Sequence, residues 1–364
     1  MIIPETKEEY LELAEHIAKA NDITPAQLKE TIDNCHDFAF LADEVRKCAD
    51  NPDIEYLKDK YMLIFLRHAE RKCFFDWRVA LKSAIAGDIA GSLNEFQPVR
   101  ISEELFDRRA YYTDDTVLNI ATMAAAFDET VHPNFLKYYM KFAKQYPDAG
   151  YGGAFNKWFR KKYKLFEKPK GYHSCANGCL MRIGAIPFFY HPYEDAIDIA
   201  ISSCMVTHNH AAAVKAVIIY ATCICMAMTG SSRKEIRDYV KEYYPVNEYN
   251  TFTRISYRFG DTFEESCELN KNLPGDAQLY AENMICFIVD AATSGVESCK
   301  ECFEKILAAG GDTDTAGAVA GPLCYALFKE DEFSDDILTD YGVDELLEFG
   351  KLKKVFYWWK PSED

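Results

Sequence analysis

The sequence predicts an all-α protein, a compact bundle of many helices. Apolar residues recur at helical spacing along most of the 364 residues. A capping box, Thr6 with Glu9, opens the first predicted helix, and Thr24 followed by Pro25 opens a second. The alternating apolar and polar runs typical of strands are weak throughout. These observations favour helices packed on helices.

The chain divides by its glycine content into three predicted regions. Residues 1–80 contain no glycine and predict a helical N-terminal extension, whose third segment, charged and aromatic, runs from Ile54 to Trp77. Glycine then appears in four clusters, at residues 87–91, 150–153, 171–184 and 310–321. These clusters predict a core with specialised loops over residues 81–329. The acidic and aromatic residues 330–364 predict a helical tail packed on that core.

Charge excludes two classes of partner. The chain has 58 acidic and 41 basic residues and a formal net charge of -17. Nucleic acid and anionic membranes repel such a protein unless a basic patch intervenes, and the densest basic run, "RKKYK" at 160–164, is better explained as a solvated helix face. We therefore expect neither nucleic acid nor a membrane as a partner. The sequence does not define the oligomeric state, and a monomer is the working expectation.

Cysteine usage and apolar content predict a cytoplasmic protein. The 13 cysteines are scattered, odd in number and mostly embedded in apolar or helical stretches, which favours reduced thiols. The start, "MIIPETKEEY", lacks the basic and apolar pattern of a signal peptide. The most apolar stretch, residues 216–229, is only 14 residues long, so it predicts a core helix rather than a membrane span.

Two aspartates stand one residue apart in "AAGGDTDTAGAVAG", residues 308–321. The glycine pair predicts the end of one helix, and Asp312 and Asp314 then precede the apolar face of the next. A single aspartate suffices to cap a helix. Two acids and two hydroxyls within four residues offer more oxygen atoms than capping requires, which indicates a bound ligand.

A second acidic cluster lies about 200 residues upstream, in "YYTDDTVLNIATMAAAF". Thr113, Asp114, Asp115 and Thr116 again precede a helix of small residues. If the two helix starts meet, four carboxylates converge, and each like-charged pair about 4 Å apart costs roughly 4 kcal/mol at an effective dielectric constant near 20. Carboxylate and hydroxyl oxygens suit hard cations, so we expect two Mg²⁺ or Mn²⁺ ions to offset that repulsion.

Six motifs occur in the order of the ADP-ribosylglycohydrolase family, which the chain resembles from about Leu81 to Phe328. They are "AIAGDIAGSLNEF" at 84–96, "YTDDTV" at 112–117, "GYGGAFNKWF" at 150–159, "HSCANGCLMRIGAIPFF" at 173–189, "THNHAAAVKAV" at 207–217 and "AAGGDTDTAGAVAG" at 308–321. The resemblance implies an all-α domain with two metal ions in a cleft. It also implies hydrolysis of the bond between the ribose C1″ of ADP-ribose and an acceptor group.

The resemblance assigns roles to particular residues. It implies these metal ligands: Thr113, Asp114, Asp115, Asp312, Asp314 and Thr315. Glu95, which ends "GSLNE", matches a family glutamate on a mobile loop over the metals and would position or deprotonate water. Together with the ligating aspartates Asp115 and Asp314, it makes up the predicted catalytic set.

The remaining motifs predict contacts with ADP-ribose or an ADP-ribosylated protein. The residues concerned are Asp88, Gly150, Tyr151, Gly152, Gly153, Asn177, Gly178, Cys179 and His208. Each has a structural alternative: Asp88 can cap a loop, the glycines can form turns, and His208 can be a satisfied histidine at a helix start. The turn "CANGC" offers backbone N–H groups and the Asn177 amide to a diphosphate.

The sequence departs from the family pattern at two points. Cys179 and Leu180 stand where relatives carry smaller residues, and Ala211–Ala213 replace a common Pro-Glu-Gly. The acidic clusters are intact, so the metal chemistry transfers more directly than the identity of the substrate. We expect a hydrolase acting on arginine-linked or serine-linked ADP-ribose. The alternatives are a hydrolase of a small ADP-ribose derivative or another nucleotide-linked glycoside, and a non-catalytic binder.

Overall fold

Helices make up the part of the chain that the computed structural model describes, which is residues 75–161, 169–190, 193–244, 256–273 and 277–357. Within those residues there are fifteen α-helices and no β-strand, which confirms the all-α fold. The helices are α1 Trp77–Ser92, α2 Asp114–Asp128, α3 Phe135–Gln145, α4 Gly153–Arg160, α5 Ile186–Phe189, α6 Tyr193–Met205, α7 Ala211–Met228, α8 Arg233–Tyr243, α9 Phe263–Asn270, α10 Ala281–Thr293, α11 Cys299–Ala309, α12 Thr313–Phe328, α13 Asp336–Asp340, α14 Val343–Phe349 and α15 Lys353–Tyr357.

In the part of the chain that the structure describes, two short 3₁₀ turns interrupt the loops, Asn177–Cys179 and Ala277–Leu279. An isolated antiparallel bridge pairs Ala176 with Tyr280, so the two turns lie side by side. The helices predicted to begin at Thr6 and Thr24 lie outside the described residues, as does the segment 54–74. Trp77, where the third segment was predicted to end, instead begins α1, because Asp76 caps that helix by accepting a hydrogen bond from Arg78 N.

The backbones of α1 and α12 touch, and glycine makes this possible. A Cβ atom on Gly87 would lie 2.1 Å from the carbonyl oxygen of Gly317. A Cβ atom on Gly321 would lie 2.2 Å from the carbonyl oxygen of Ser83. The prediction that the glycine clusters form loops is therefore wrong at these positions, which lie inside helices. The missing side chains serve close packing of two helices rather than a turn.

This contact is antiparallel and fixes the end of α1 against the start of α12. Thr313 Oγ1 donates a hydrogen bond of 2.8 Å to the carbonyl oxygen of Gly91. The last turn of α1, with Asp88, therefore lies beside the first turn of α12, with Asp312 and Asp314. Both helices are almost completely buried from Ala80 onward and from Thr313 onward.

The other long helices surround this pair. Helices α10 and α11 pack against α12, and α2 packs against α1 and α3. The apolar helix α7 is longer than the 14-residue stretch predicted, because it begins at Ala211 and spans 18 residues. Among the described residues it is the one helix long and apolar enough to cross a bilayer by length and composition, and 67% of it is buried within the protein.

Short helices follow α12. Buried Leu338 on α13 and Leu346 and Leu347 on α14 contribute apolar side chains to the interior. The buried Lys82 of α1 reaches Asp331 at 2.8 Å and Asp335 at 2.7 Å. These contacts attach the segment after α12 to α1. The domain limits at residues 80 and 329 stay a prediction, and Ala80 lies within α1.

Candidate functional site

Asp88 on α1 holds the first turn of α2. Its carboxylate accepts hydrogen bonds from Thr113 N at 2.9 Å and Thr116 N at 3.1 Å, and from both threonine hydroxyls. The N–H groups at the start of a helix have no partner within the helix, so an aspartate from a neighbouring helix here takes the role of a cap. Asp88, predicted as a ligand-binding residue, thus has four bonds that join α1 to α2.

Two carboxylates lie at the start of α12, and neither acts as the N-cap side chain of that helix. Asp312 is the N-cap residue, yet its side chain makes no capping hydrogen bond. Asp314 accepts a local bond of 2.8 Å from Thr315 N, and its side chain is also hydrogen-bonded to that of Asp312. The inference that these acids exceed the needs of capping agrees with this geometry.

The two predicted helix starts meet. Thr315 Oγ1 lies 3.4 Å from Asp115 Oδ2, although the two residues are 200 positions apart. Carboxylate oxygens within 4.8 Å of one another form two groups in the described chain, Asp88 with Asp115 and Asp314, and Glu95 with Asp312 and Asp314. Asp314 belongs to both groups. Each group offers carboxylate oxygens close enough together to hold a cation.

No basic residue of the described chain forms an ion pair with the carboxylates of this cluster. Burial, followed by the neighbouring carboxylates, raises the pKa of Asp115 and of Asp314 well above their usual values. Burial also raises the pKa of Asp88 to about 6, despite the four hydrogen bonds that oppose the shift. Asp115 Oδ1 is buried and has no hydrogen-bond partner among the described residues. A buried oxygen of this kind is costly unless a ligand pairs with it.

Glu95 lies in the loop that follows α1, half-buried beside the acids. The loop is anchored on both sides of it, because Asn94 Oδ1 accepts a bond of 2.8 Å from Ile101 N and Phe96 N donates a bond of 2.7 Å to Gly311 O. Burial first, and then Asp312 and Asp88, raise the pKa of Glu95. The structure thus brings the predicted water-positioning glutamate into the second carboxylate group.

The predicted glycine loop borders the other predicted ligand, Asp114. A Cβ atom on Gly150, whose φ is +99°, would lie 3.5 Å from Asp114 Oδ1. Gly152 and Gly153 begin α4 with open space around them, and the buried Tyr151 ring stacks on Phe155. Asp114 is half-buried and is in neither carboxylate group. It therefore faces the glycine loop at the rim of the cluster.

Asn177 contacts the acidic cluster directly. Its Nδ2 donates a bond of 2.7 Å to Asp312 Oδ2 and one of 3.2 Å to the carbonyl oxygen of Gln278. Gln278 Oε1 in turn accepts a bond of 2.9 Å from Asp312 N. The Asn177 amide, which the sequence assigns to a diphosphate, orients Asp312 in this structure. Gln278 carries no sequence signal for this role, because only the fold places it beside Asp312.

The turn that follows Asn177 borders His208. A Cβ atom on Gly178 would lie 3.4 Å from His208 Nε2. Cys179 is fully buried and its thiol donates to Ala176 O at 3.4 Å, so this predicted ligand-binding residue directs its side chain into the core. His208 is buried, and its Nδ1 lies 2.7 Å from Thr207 Oγ1.

The fold and the site together define an all-α protein with paired carboxylate groups at the meeting point of three helices. The sequence matches the ADP-ribosylglycohydrolase family over residues 78–361, and the chain belongs to that family. The match continues past Phe328, where the predicted resemblance ends, and takes in α13 to α15.

Individual relatives match parts of the chain. ADP-ribosylhydrolase ARH3 of Xenopus tropicalis is 28% identical over 195 residues, which cover 46% of this chain and 55% of that protein. ADP-ribosylhydrolase ARH3 of Homo sapiens is 30% identical over 142 residues, which cover 34% of this chain and 38% of that protein. The chain thus spans about half or less of these relatives.

A solved structure has the same fold. It is titled "ADP-ribosylglycohydrolase-related protein complex" and superposes with a TM-score of 0.58 at 20% sequence identity. The superposition covers 78% of this chain and 97% of that chain.

Proposed function

We propose that the protein is a metal-dependent hydrolase that cleaves the ribose C1″ bond of ADP-ribosylated arginine or serine side chains and releases ADP-ribose. The observation that carries the proposal is the pair of carboxylate groups that share Asp314, in a member of the ADP-ribosylglycohydrolase family. Carboxylates gathered at buried helix starts, with no basic residue paired to them in the described chain, suit a cation-dependent reaction on an oxygen-rich sugar.

The donor atoms fit two divalent cations such as Mg²⁺ or Mn²⁺. The residues that would hold them are Thr113, Asp114, Asp115, Asp312, Asp314 and Thr315. All offer oxygen, which hard cations prefer, and the unpaired Asp115 Oδ1 is one position where a cation would remove a desolvation cost. Bound there, the cations would hold ribose hydroxyls and lower the pKa of a water molecule.

The chain's own residues would then position the reactants. Glu95 stands on an anchored loop at the edge of the cluster, where its carboxylate can accept a proton from water. Asn177 and Gln278 hold Asp312 in place through its side chain and its backbone. The glycine loop Gly150–Gly153 leaves room for a ligand to approach Asp114. Charge develops at C1″ as the glycosidic bond breaks, and the acidic surroundings stabilise it.

The function is tested by following release of free ADP-ribose from arginine-linked, serine-linked and phosphate-linked substrates in the presence of Mg²⁺ or Mn²⁺. Release from the arginine-linked or serine-linked substrate is the expected result. Release only from a small ADP-ribose derivative would change the substrate class. Binding of ADP-ribose measured by calorimetry, with no release from any substrate, would replace the hydrolase by a non-catalytic binder.

Cation-free protein is expected to lose stability between pH 5 and pH 7.5. Because the pKa of Asp88 is raised from 3.8 to about 6, the folded state binds this proton more tightly than the unfolded chain does. The resulting stabilisation is complete below about pH 4 and is lost as the pH rises through 6. For Asp88 alone the full loss amounts to roughly 3 kcal/mol, at about 1.4 kcal/mol per pKa unit, and about half of it falls between pH 5 and pH 7.5. Asp115 and Asp314 act in the same direction.

Urea unfolding with and without Mn²⁺ at both pH values measures this effect. Other carboxylates titrate equally in the two samples, so the stabilisation by Mn²⁺ isolates the cluster, and it is expected to be larger at pH 7.5. Equal stability with and without Mn²⁺ at pH 7.5 would contradict the proposed metal site.

A further inference from the structure

Arg182 is a buried cation without an acidic partner in the described chain. Its side chain is among the largest that are fully buried, and its guanidinium carbon lies 4.4 Å from the centre of the Tyr139 ring. Arg182 Nε and Nη1 have no hydrogen-bond partner among the described residues. Such burial of an unpaired charge is costly, which indicates a role for this guanidinium beyond packing.

One of the two described hydrogen bonds of Arg182 leads to His208 through a hydroxyl group, and the other goes from Nη2 to the carbonyl oxygen of Ser203 at 3.2 Å. Arg182 Nη2 donates to Thr207 Oγ1 at 2.6 Å, and Thr207 Oγ1 lies 2.7 Å from His208 Nδ1. Arginine has no acceptor atom, so the threonine oxygen must accept in the first contact. The threonine proton is then available to His208 Nδ1 or to the neighbouring Tyr172 hydroxyl. Where His208 Nδ1 accepts that proton, the histidine's own proton is on Nε2.

The surroundings keep this imidazole neutral and fixed in orientation. Burial first, and then the charge of Arg182, lower the pKa of His208 well below 6.5. The backbone of His208 is held by bonds from its own N to Cys204 O at 2.8 Å and from the Cys204 thiol to its carbonyl oxygen at 3.1 Å. The edge that carries Nε2 faces Gly178, in the turn that follows Asn177.

We propose that Arg182 and Thr207 are positioning residues that fix His208 as the neutral tautomer with its proton on Nε2, which donates to an oxygen atom of the ADP-ribose ligand at the 177–179 turn. Neither Arg182 nor Thr207 touches the ligand. The part of the proposal that concerns the ligand rests on the proposed function, whereas the tautomer is a property of the free protein.

The test is nitrogen NMR of the histidine side chains in the full-length protein, with the signals of His208 assigned by their loss in His208→Gln. Wild-type protein is expected to show the Nε2–H tautomer. Thr207→Val keeps the shape of the side chain and removes the hydroxyl, so the Nδ1–H form is expected to appear and the affinity for ADP-ribose to fall about tenfold. Thr207→Ser restores the hydroxyl and is expected to behave as wild type.

Tyr172→Phe is the matched control. The Tyr172 ring lies 5.6 Å from the His208 ring, and its hydroxyl interacts with Thr207. Removing that hydroxyl leaves the bonds from Arg182 to Thr207 and from Thr207 to His208 intact, so the tautomer is expected not to change. A change in Tyr172→Phe with none in Thr207→Val would overturn the proposal.

The remaining outcomes separate the two proposals. An Nδ1–H tautomer in wild-type protein overturns the role of Arg182 and Thr207, whatever the protein binds. An Nε2–H tautomer in a protein that binds no ADP-ribose overturns the proposed function and the donor role of His208 together. An unchanged affinity in a folded Thr207→Val protein that has lost the Nε2–H tautomer overturns the donor role alone.

Discussion

Asp314→Asn is expected to lower the rate of ADP-ribose release by about a thousandfold or more. Asp314 is the residue common to both carboxylate groups, so the amide removes a negative charge from both proposed cation positions while preserving the size of the side chain. Loss of several kcal/mol of charge stabilisation corresponds to this factor, since each 1.4 kcal/mol is about tenfold in rate. Initial rates at saturating Mg²⁺ or Mn²⁺ on the best substrate measure the change.

Asp238→Asn is the control for this substitution. Asp238 is exposed on α8 and pairs with Lys234 on the protein surface, so the same chemical change there is expected to leave the rate unaltered. Circular dichroism and thermal unfolding show whether each variant folds. A folded Asp314→Asn protein with the full wild-type rate would rule out the shared aspartate as part of the active site.

Gly87→Ala is expected to reduce the free energy of unfolding by about 3 kcal/mol or more. The added Cβ atom would lie 2.1 Å from the carbonyl oxygen of Gly317, a backbone atom that cannot rotate away, so α1 and α12 must separate. Alanine favours a helix over glycine by up to about 1 kcal/mol, and the steric cost must exceed this gain. Urea unfolding of cation-free protein at pH 5 measures the difference.

Gly153→Ala makes the same change where space is open. Nothing lies within 4 Å of the position that its Cβ atom would occupy at the start of α4. Its stability is therefore expected to stay within about 0.5 kcal/mol of wild type or to increase slightly. Similar stabilities of Gly87→Ala and Gly153→Ala would show that the two helix backbones are not in contact.

The sequence contained enough to predict the acidic centre. Asp312 and Asp314 follow a glycine pair, and their excess of oxygen over the needs of capping indicated a ligand without any knowledge of the fold. The position of α11 before Gly310 and of α12 after Asp312 confirms the predicted helix, loop and helix. That the two acidic helix starts meet could be stated only as a condition, because composition carries no information on distance between segments.

Contacts between residues that are far apart in the sequence could not be predicted. A cluster of glycines flanked by polar residues is typical of a loop, and only the fold shows that Gly87 lies inside α1 against Gly317. Asn177 offers its amide equally to a phosphate or to a carboxylate, and only the fold shows Asp312 beside it. Arg182 lies within the motif at 173–189, but nothing in the neighbouring sequence indicates that it is buried without an acidic partner.

The contact between α1 and α12 determines when the carboxylate site can form as the chain is translated. The bond between Thr313 and Gly91 joins residues 222 positions apart. A ribosome adds about 5–20 residues per second, so α1 is made roughly 10–45 s before the helix against which it packs. During this interval the apolar surface of α1 has no native partner on α12, and contacts over such a separation form slowly. Both carboxylate groups are therefore completed late, once nearly the whole family domain has been translated.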